Sequence, residues 1–579
     1  MHGAQVTEPT ETDVIVVGSG AAGLATACAA RAMGLDVVVI EKEPQFGGTT
    51  ALSGAAIFIP LSKAARDAGC DDTRQAVLTY LQETIGEGAD QTLLEAFVDT
   101  AGEALEFLEH HSQLRYRLRQ VAPDYHGENK GASRHGRVLD VVEYDGRRLG
   151  RHFAALRPPL PTHLVFGGMM VNRADVSTLL NFGRSRAATW RSLALIGRYA
   201  LDRLRGPRGT RLVVGSALVA RLAQSLFDAQ VPLMLNAPVR DLIKTDGRVT
   251  GLRYQGADGA ARVLHARRGV VLATGGFAAD AARSRTARGG PEADHFSMAA
   301  GSAQGEGQHM ALSAGAQMAQ AGRNPHFCAP VSLYRNGSGE VAQFAHLTLD
   351  RAKPGIIAVD RTGQRFTNEA DSYHRFGEAL QALPAPGHGQ PVAWLICDSL
   401  ALRRYGLGLA RPAPAHLGNR RLIRDGYLIA ADSIAALAAR LGVPPDRLET
   451  TVERHNGFAR AGRDADFAKG ETPHNISLGD SAIGPNPCLA PLKHGPFYAV
   501  GLYSGDLGTA QGLATDHRAR VLTATGTVIA GLYAVGNDMN SIMGGTYPAA
   551  GITLGPALTF AYIAARDLAG HPDPQEDKT

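Results

Sequence analysis

The chain has 579 residues, of which 44% are hydrophobic and 20% are charged, so it is long enough for two or more globular domains and is not disordered by composition. A formal net charge of +4 is small for this length and argues against a dedicated nucleic-acid binder. The sequence contains no run of 18 or more apolar residues, so no segment is expected to span a bilayer. The start MHGAQVTEPTET lacks the pattern of a signal peptide.

The first predicted unit is a strand, a glycine turn, a helix and a second strand over residues 13–41, DVIVVGSGAAGLATACAARAMGLDVVVIE. Gly18, Gly20 and Gly23 have GxGxxG spacing, which suits a tight turn, close approach of the backbone to a pyrophosphate, and helix–strand packing. The helix amino terminus favours phosphate. Glu41 ends the second strand, where its carboxylate can accept hydrogen bonds from both ribose hydroxyls. These features predict a dinucleotide site.

A second small-residue turn follows in EKEPQFGGTTALSG, with Gly47, Gly48, Thr49, Thr50 and Ser53. Nicotinamide enzymes rarely repeat such a turn there, whereas large flavoproteins wrap the flavin and its phosphates with it. The turn therefore favours FAD, with an ordinary glycine loop as the alternative.

A basic, partly helical segment is predicted at about residues 115–210. It combines apolar residues at 193, 196, 200 and 204, which have helical spacing, with Trp190 and the arginines Arg184, Arg186, Arg191, Arg198, Arg203 and Arg205. The favoured interpretation is a solvated amphipathic helix packed on the nucleotide-binding domain. The alternative is a helix that lies on an anionic membrane, from which the protein would take an apolar ketone and pass electrons to a quinone.

Three separated stretches look like parts of one nucleotide fold. Near residue 233 a β-meander with Asp-Gly turns leads into a strand that ends in Thr274 and Gly275. Much later, GTVIAGLYAVGND again reads as a strand followed by a glycine turn, before a final helix.

Together GSGAAGLATA, EK, GGTTALSG, ATGGF and GLYAVGN resemble the FAD-dependent fumarate reductase and succinate dehydrogenase flavoprotein superfamily. The resemblance implies a Rossmann-like α/β FAD-binding domain, residues 1–285 and 495–579, interrupted by an α+β cap domain at 286–494. The FAD is expected to be non-covalent, because the turn after Glu41 has threonines and no histidine. The resemblance also implies that the following residues lie near FAD: Gly18, Gly20, Ala22, Gly23, Glu41, Lys42, Gly48, Thr49, Thr50, Ser53, Val239, Thr274, Gly275, Gly536, Asn537 and Leu554.

Phenol-bearing stretches narrow the resemblance. PDYHGENKGAS, RFTNEADSY and GDLGTAQGLATD with GGTYPAAGITLGP resemble the 3-oxosteroid 1-dehydrogenases. The resemblance implies that Tyr547 and the N–H of Gly551 bind a ketone oxygen. It also implies that Tyr373 removes the alpha proton, with Tyr125 hydrogen-bonded to it. A phenol near its ordinary pKa of about 10 is a poor base at neutral pH, so its surroundings must lower that pKa.

The predicted function is 1,2-desaturation of a 3-oxosteroid, with hydride passing to FAD. A smaller cyclic ketone of the oxocyclohexane type needs the same groups and remains an alternative. A fumarate-reductase-like enzyme would need arginine as a carboxylate anchor, and only His374 and Arg375 beside Tyr373 offer a cation there. An electron-transfer subunit would need iron–sulfur ligands, which the scattered cysteines do not supply.

Five cysteines without a CxxC pair predict a reducing cytoplasm, no disulfide framework and no zinc site. No metal ligands are predicted. The remaining partner predictions are a quinone or other electron acceptor, peripheral membrane contact and no nucleic acid, with the oligomeric state left open.

Overall fold

The computed structural model describes residues 9–183, 185–289 and 294–571. Over these ranges the strands form an eight-stranded sheet, a seven-stranded sheet and three small sheets. The predicted mixed α/β fold is confirmed, and the site lies where the two large sheets meet.

The strands are β1 (Glu11–Val17), β2 (Val37–Ile40), β3 (Ala56–Phe58), β4 (Tyr116–Leu118), β5 (Val138–Val141), β6 (Tyr144–Asp145), β7 (Leu164–Val165), β8 (Met169–Met170), β9 (Arg211–Leu212), β10 (Leu233–Met234), β11 (Val239–Thr245), β12 (Arg248–Gln255), β13 (Ala261–Leu272), β14 (His295–Ser297), β15 (His326–Arg335), β16 (Val341–Ala345), β17 (Ile356–Asp360), β18 (Ala393–Cys397), β19 (Ile429–Ala431), β20 (Phe497–Thr509), β21 (Arg520–Leu522) and β22 (Val528–Ala534).

The α-helices are α1 (Ala21–Ala32), α2 (Lys63–Asp67), α3 (Arg74–Ile85), α4 (Gln91–His111), α5 (Arg173–Leu180), α6 (Arg186–Arg203), α7 (Val214–Asp228), α8 (Ala281–Ala287), α9 (Glu306–Ser313), α10 (Tyr373–Gln381), α11 (Ser399–Tyr405), α12 (Asn419–Arg424), α13 (Ile434–Leu441), α14 (Pro445–Ala461), α15 (Pro473–Leu478) and α16 (Leu554–Ala569).

The first sheet has the order β10-β2-β1-β13-β12-β11, with β22 beside β13 and β21 beside β22. Strands β10, β2, β1, β13 and β22 run parallel, whereas β11, β12 and β13 form the predicted antiparallel meander. Parallel strands end at one edge of a sheet, so the glycine turns after β1, β13 and β22 meet there. Three sequence-distant motifs thereby become one site.

The second sheet has the order β16-β15-β20-β18-β17, with β14 and β19 also paired to β20. Strand β20 covers Phe497–Thr509 and pairs with four strands of this sheet. The predicted boundary at 494/495 comes just before β20, and it stays a prediction.

Helix α6 differs from the favoured interpretation of the basic segment. It is helical as predicted, but it buries only Ser192 and Asp202. The exposed fractions of Trp190 and Leu204 are 73% and 83%, whereas Ile196 is half-buried, so the apolar face packs on the protein only in part. Of the predicted arginines, Arg184 lies outside the described residues. Over the residues that are described, no helix has both the length and the apolar content needed to cross a bilayer.

Candidate active site

A cavity of about 1180 Å³ runs from the glycine turns of the first sheet to the second sheet. Small-molecule pockets usually measure about 300–1,000 Å³, so this cavity can hold more than one small molecule. Its wall includes every predicted cofactor residue except Gly23, and all four predicted catalytic residues.

The turn between β1 and α1 is built by glycines for the reasons that the motif predicts. A Cβ on Gly18, whose φ is +107°, would lie 2.3 Å from the carbonyl oxygen of Ala273, and one on Gly23 would lie 2.0 Å from that of Gly18. Gly23 therefore packs helix against strand and is not a cavity residue. Gly20 faces open space, with only the Thr50 hydroxyl within 4 Å of its built Cβ. The exposed amide end of α1 suits a phosphate.

Glu41 is buried at the end of β2, and its carboxylate is partly occupied. Oε2 accepts hydrogen bonds from the N–H and hydroxyl of Ser19, at 3.1 and 2.6 Å, and Oε1 accepts one from the N–H of Glu43 at 3.0 Å. A carboxylate has about four acceptor positions, so it can also accept from ribose. Lys42 forms an ion pair with Glu306 at the same end of the cavity.

The second glycine turn presents Gly48, Thr49 and Thr50 to the cavity. The Thr49 hydroxyl accepts from the N–H of Ala300 and the Thr50 hydroxyl from that of Ala21, each at 3.0 Å, which leaves both hydroxyl hydrogens to donate. The Ser53 hydroxyl differs, because it donates to the Thr50 carbonyl at 2.8 Å. Ser53 thus closes the turn and can meet a cofactor only through its backbone.

Asp538 organises the later part of the cradle, and the sequence analysis missed it. Its buried carboxylate accepts hydrogen bonds from the N–H and hydroxyl of Thr274 and from the N–H of Gly276. It thereby ties the turn after β13, with Gly275, to the turn after β22, with Gly536 and Asn537. Its position directly after GN in GLYAVGND was the available signal. Val239 and Leu554 complete this part of the wall.

Three tyrosines come together at the other part of the cavity. The ring centroid of Tyr373 lies 5.7 Å from that of Tyr125 and 5.0 Å from that of Tyr547, both edge to face. The rings of Tyr125 and Tyr547 are stacked at 6.0 Å. The Pro548 carbonyl fixes this group, since it accepts the N–H of Tyr125 at 2.8 Å and the hydroxyl of Tyr80 at 2.6 Å.

Burial dominates the acidity of these phenols. It raises the pKa of Tyr373 well above its ordinary value, and the neighbouring phenols of Tyr125 and Tyr547 raise it further. Burial also raises the pKa of Tyr547 and of Tyr125. All three are therefore neutral near pH 7, and Tyr547 is a hydrogen-bond donor in that state.

Gly551 lies in the turn before α16, three residues ahead of the helix. Its φ is +88°, and a Cβ there would lie 2.6 Å from the carbonyl carbon of Ala56. Its carbonyl accepts hydrogen bonds from the N–H groups of Phe58 and Gly555. Its own N–H has no partner in the part of the chain that the structure describes, which leaves it free for a ligand.

Comparison with known proteins identifies the family. A model described as FAD binding domain matches residues 13–554. The chain belongs to this FAD-binding family. FAD is its cofactor, and the glycine cradle and Glu41 suit that group.

Two curated relatives and one solved structure give the resemblance more detail. The chain is 37% identical to a 4-oxocyclohex-2-ene-1-carboxylate 5-dehydrogenase of Sinomonas cyclohexanicum, over 98% of this chain and 95% of the relative. It is 36% identical to a 3-oxosteroid 1-dehydrogenase of Mycolicibacterium smegmatis, over 96% and 97%. A 3-ketosteroid delta1-dehydrogenase of Sterolibacterium denitrificans, solved with 1,4-androstadiene-3,17-dione, is 33% identical with a TM-score of 0.88 and covers 97% of this chain and 100% of that one. The resemblance to 3-oxosteroid 1-dehydrogenases is confirmed, and the flavoprotein is an oxidoreductase.

The cations beside Tyr373 do not serve the cavity. Arg375 forms an ion pair with Glu128 at 2.7 Å and is absent from the cavity wall. His374 accepts the N–H of Cys328 at 3.0 Å, and burial lowers its pKa to about 4, so it is neutral. Neither is the carboxylate anchor that a fumarate-reductase-like enzyme requires.

The flavoprotein has other arginines in the cavity wall, most of them missed by the sequence analysis. They are Arg117 and Arg119 at β4, Arg173 at the start of α5, Arg191 on α6 and Arg240 on β11. These positions are far apart in the sequence and come together only in the folded chain, so no spacing pattern could link them. Over the described ranges, no cluster of His, Cys, Asp and Glu could hold a metal ion, and all five cysteines are free thiols.

Proposed function

We propose that this flavoprotein is a 3-oxosteroid 1-dehydrogenase, which forms a double bond between ring carbons 1 and 2, the beta and alpha carbons of the 3-ketone. The observation that carries the proposal is one continuous cavity that contains the FAD cradle, three buried phenols and the free N–H of Gly551. The names of two relatives at 33–36% identity support the steroid as substrate.

The ketone oxygen is the first atom to place. The neutral hydroxyl of Tyr547 and the N–H of Gly551 are two donors at one end of the cavity. As the alpha proton leaves, negative charge develops on this oxygen, and fixed donors then bind it more strongly than they bind the ketone. Neutral donors cost less to keep in an apolar pocket than an arginine would.

Tyr373 is the proposed base for the alpha proton. Its phenolate must form in a buried site, so the negative charge needs support. The resting arrangement does not supply it, because burial and the neighbouring phenols raise the pKa of Tyr373, where the sequence analysis required a lowered one. The guanidinium of Arg119 acts electrostatically on both Tyr125 and Tyr373, and its positive charge favours the phenolate. FAD, when bound, supplies the acceptor for the hydride that leaves the beta carbon.

The experiment is an anaerobic titration of the purified holoenzyme with androst-4-ene-3,17-dione, in which loss of the oxidised flavin absorbance is recorded. Cyclohexanone and succinate are titrated in parallel. Bleaching by the steroid is the expected result, and bleaching by cyclohexanone alone would favour the smaller cyclic ketone. Bleaching by succinate alone would overturn the proposal, since succinate offers no ketone to Tyr547 and Gly551.

Helix α6 supports a second part of the proposal, contact with an anionic membrane surface. Its exposed Trp190, Leu193 and Leu204 stand among arginines, and Arg191 of the same helix lines the cavity. Apolar side chains and arginines on one exposed helix suit the lipid interface, where a steroid and a quinone acceptor are both dissolved. Free thiols are in keeping with a cytoplasmic location.

Co-sedimentation with vesicles tests this contact. We expect the enzyme to bind vesicles that contain phosphatidylserine, and a variant with Trp190→Ser and Leu204→Ser to bind less while its turnover of dissolved steroid is unchanged. Equal binding of both proteins, or no binding by the unmodified enzyme, would refute membrane contact by α6.

A further inference from the structure

The cavity wall beside Tyr125 carries more positive charge than the proposed reaction on a neutral steroid needs. Four arginines, at 117, 119, 173 and 191, line it there, against the single carboxylate of Asp140. The remaining acids of the cavity, Glu41 and Glu306, belong to its ribose end. This part of the cavity is therefore cationic.

Pairing removes one of these arginines from consideration. Arg119 donates from Nε to both carboxylate oxygens of Asp140, at 3.1 and 3.2 Å. Arg191 lies 3.9 Å from the carboxylate of Asp175, which Arg211 already binds at 2.9 Å, so Arg191 adds to the positive potential of the wall. Asp140 pairs with Arg119 and acts on Arg173 only through its charge.

Arg173 has no ion pair in the described residues. Its side chain donates a hydrogen bond to the Ser477 carbonyl at 3.4 Å, and no carboxylate of the described residues lies within 4 Å of it. Surrounding protein and the charge of Arg119 lower the pKa of its guanidinium, and the charge of Asp140 offsets this in part. The residue is exposed, lines the cavity and stays ionised, so an anion that enters the cavity can bind it.

Two of the arginines act on one phenol and not on another. Arg119 and Arg173 both act electrostatically on Tyr125, whereas neither is among the groups that shift the pKa of Tyr547. A ketone oxygen held at Tyr547 and Gly551 leaves the guanidinium of Arg173 to another part of the substrate. A substrate that spans the cavity would bring its opposite end to the guanidinium.

We propose that Arg173 is an anion-binding residue that selects ketone substrates with a carboxylate at the end remote from the ketone. The proposal rests on the proposed function and names its substrate class. Arginine suits this task because its planar fork can bind a carboxylate through two hydrogen bonds. Arg117, which lies on the same strand face as Arg119, adds to the positive potential.

The test compares each acid with its uncharged methyl ester on the holoenzyme. The short pair is 4-oxocyclohexane-1-carboxylate and its ester, and the long pair is a 3-oxo-4-ene steroid with a side-chain carboxylate and its ester. The two pairs differ in the distance between ketone and carboxylate, so they show which distance brings the carboxylate to Arg173. We expect kcat/KM for one acid to exceed that of its ester about tenfold or more, the effect of one charged hydrogen bond.

In Arg173→Gln we expect this preference, the ratio of kcat/KM for the acid to that for its ester, to fall to about twofold. Turnover of the ester also reports that the variant is folded and holds FAD. Arg173→Lys should keep part of the preference, because the charge remains and the fork is lost. Arg420→Gln, an exposed arginine of α12 outside the cavity wall, is the charge-matched control.

Three results would overturn the inference. If the unmodified enzyme turns over neutral ketones and prefers neither acid to its ester, the inference is refuted and the proposed function stands. A preference that persists in Arg173→Gln assigns it to another residue and likewise removes the inference. An enzyme that oxidises no ketone, charged or neutral, removes the proposed function and the inference with it.

Discussion

Replacing Tyr547 with phenylalanine isolates the hydroxyl that is proposed to bind the ketone oxygen. Phenylalanine keeps the ring and its contacts with Phe327, Tyr373 and Tyr125, so no cavity forms. One of two oxyanion donors is lost, and the N–H of Gly551 remains. A single such donor is worth about 2.7–4 kcal/mol, so we expect the rate of flavin reduction to fall about 10²–10³-fold.

The assay is anaerobic stopped-flow reduction of the bound flavin at saturating ketone, with thermal unfolding measured on the same samples. Tyr427→Phe is the matched control, because this buried tyrosine lies outside the cavity and its hydroxyl contacts Ser332 and the N–H of Leu409 at 2.8 and 2.9 Å. It should lower the free energy of unfolding by about 1–3 kcal/mol and leave the rate unchanged. A rate for Tyr547→Phe within about threefold of the unmodified enzyme, or an equal loss in the control, would refute the role of this hydroxyl.

Three further changes test the rest of the site. Because burial raises the pKa of Tyr373, its phenolate fraction should grow about tenfold per pH unit, so kcat/KM should climb through the alkaline range; a flat profile would exclude it as the base. Gly551→Ala puts a Cβ 2.6 Å from the Ala56 carbonyl carbon at a φ of +88°, and should cost about 1–3 kcal/mol of stability as well as turnover, measured by melting and kinetics. Asp538→Asn should weaken the turn at Thr274 and release FAD during gel filtration, with full flavin content as the contrary result.

The glycine turn that binds FAD could be predicted because its structural requirements fall on residues close together in the sequence. A tight turn, a close phosphate and helix–strand packing each exclude a Cβ at one position, and these positions fall within six residues of one another at Gly18, Gly20 and Gly23. The sequence analysis predicted all three beside FAD; in the structure Gly18 and Gly20 line the cavity, whereas Gly23 packs α1 on β1. The phenols were found by resemblance, since nothing in the spacing of Tyr125, Tyr373 and Tyr547 links them.

The packing of the basic segment could not be predicted from its pattern. Apolar residues at helical spacing indicate a helix, and α6 is one, but the pattern does not say whether the face meets protein or solvent. Leu204 is 83% exposed because no neighbouring element covers it in the described structure.

The sequence by itself determined the nucleotide-binding turns, the identity of the cofactor and the helical character of the basic segment, because each depends on residues close together in the chain. Only the tertiary structure decided that Asp538 ties two glycine turns, that the N–H of Gly551 is free, and that Arg173 lies unpaired in the same cavity as Tyr125. Those facts depend on which side chains from distant segments meet, and on which partners they have already used. Pairing and burial are properties of the folded chain, so no local pattern carries them.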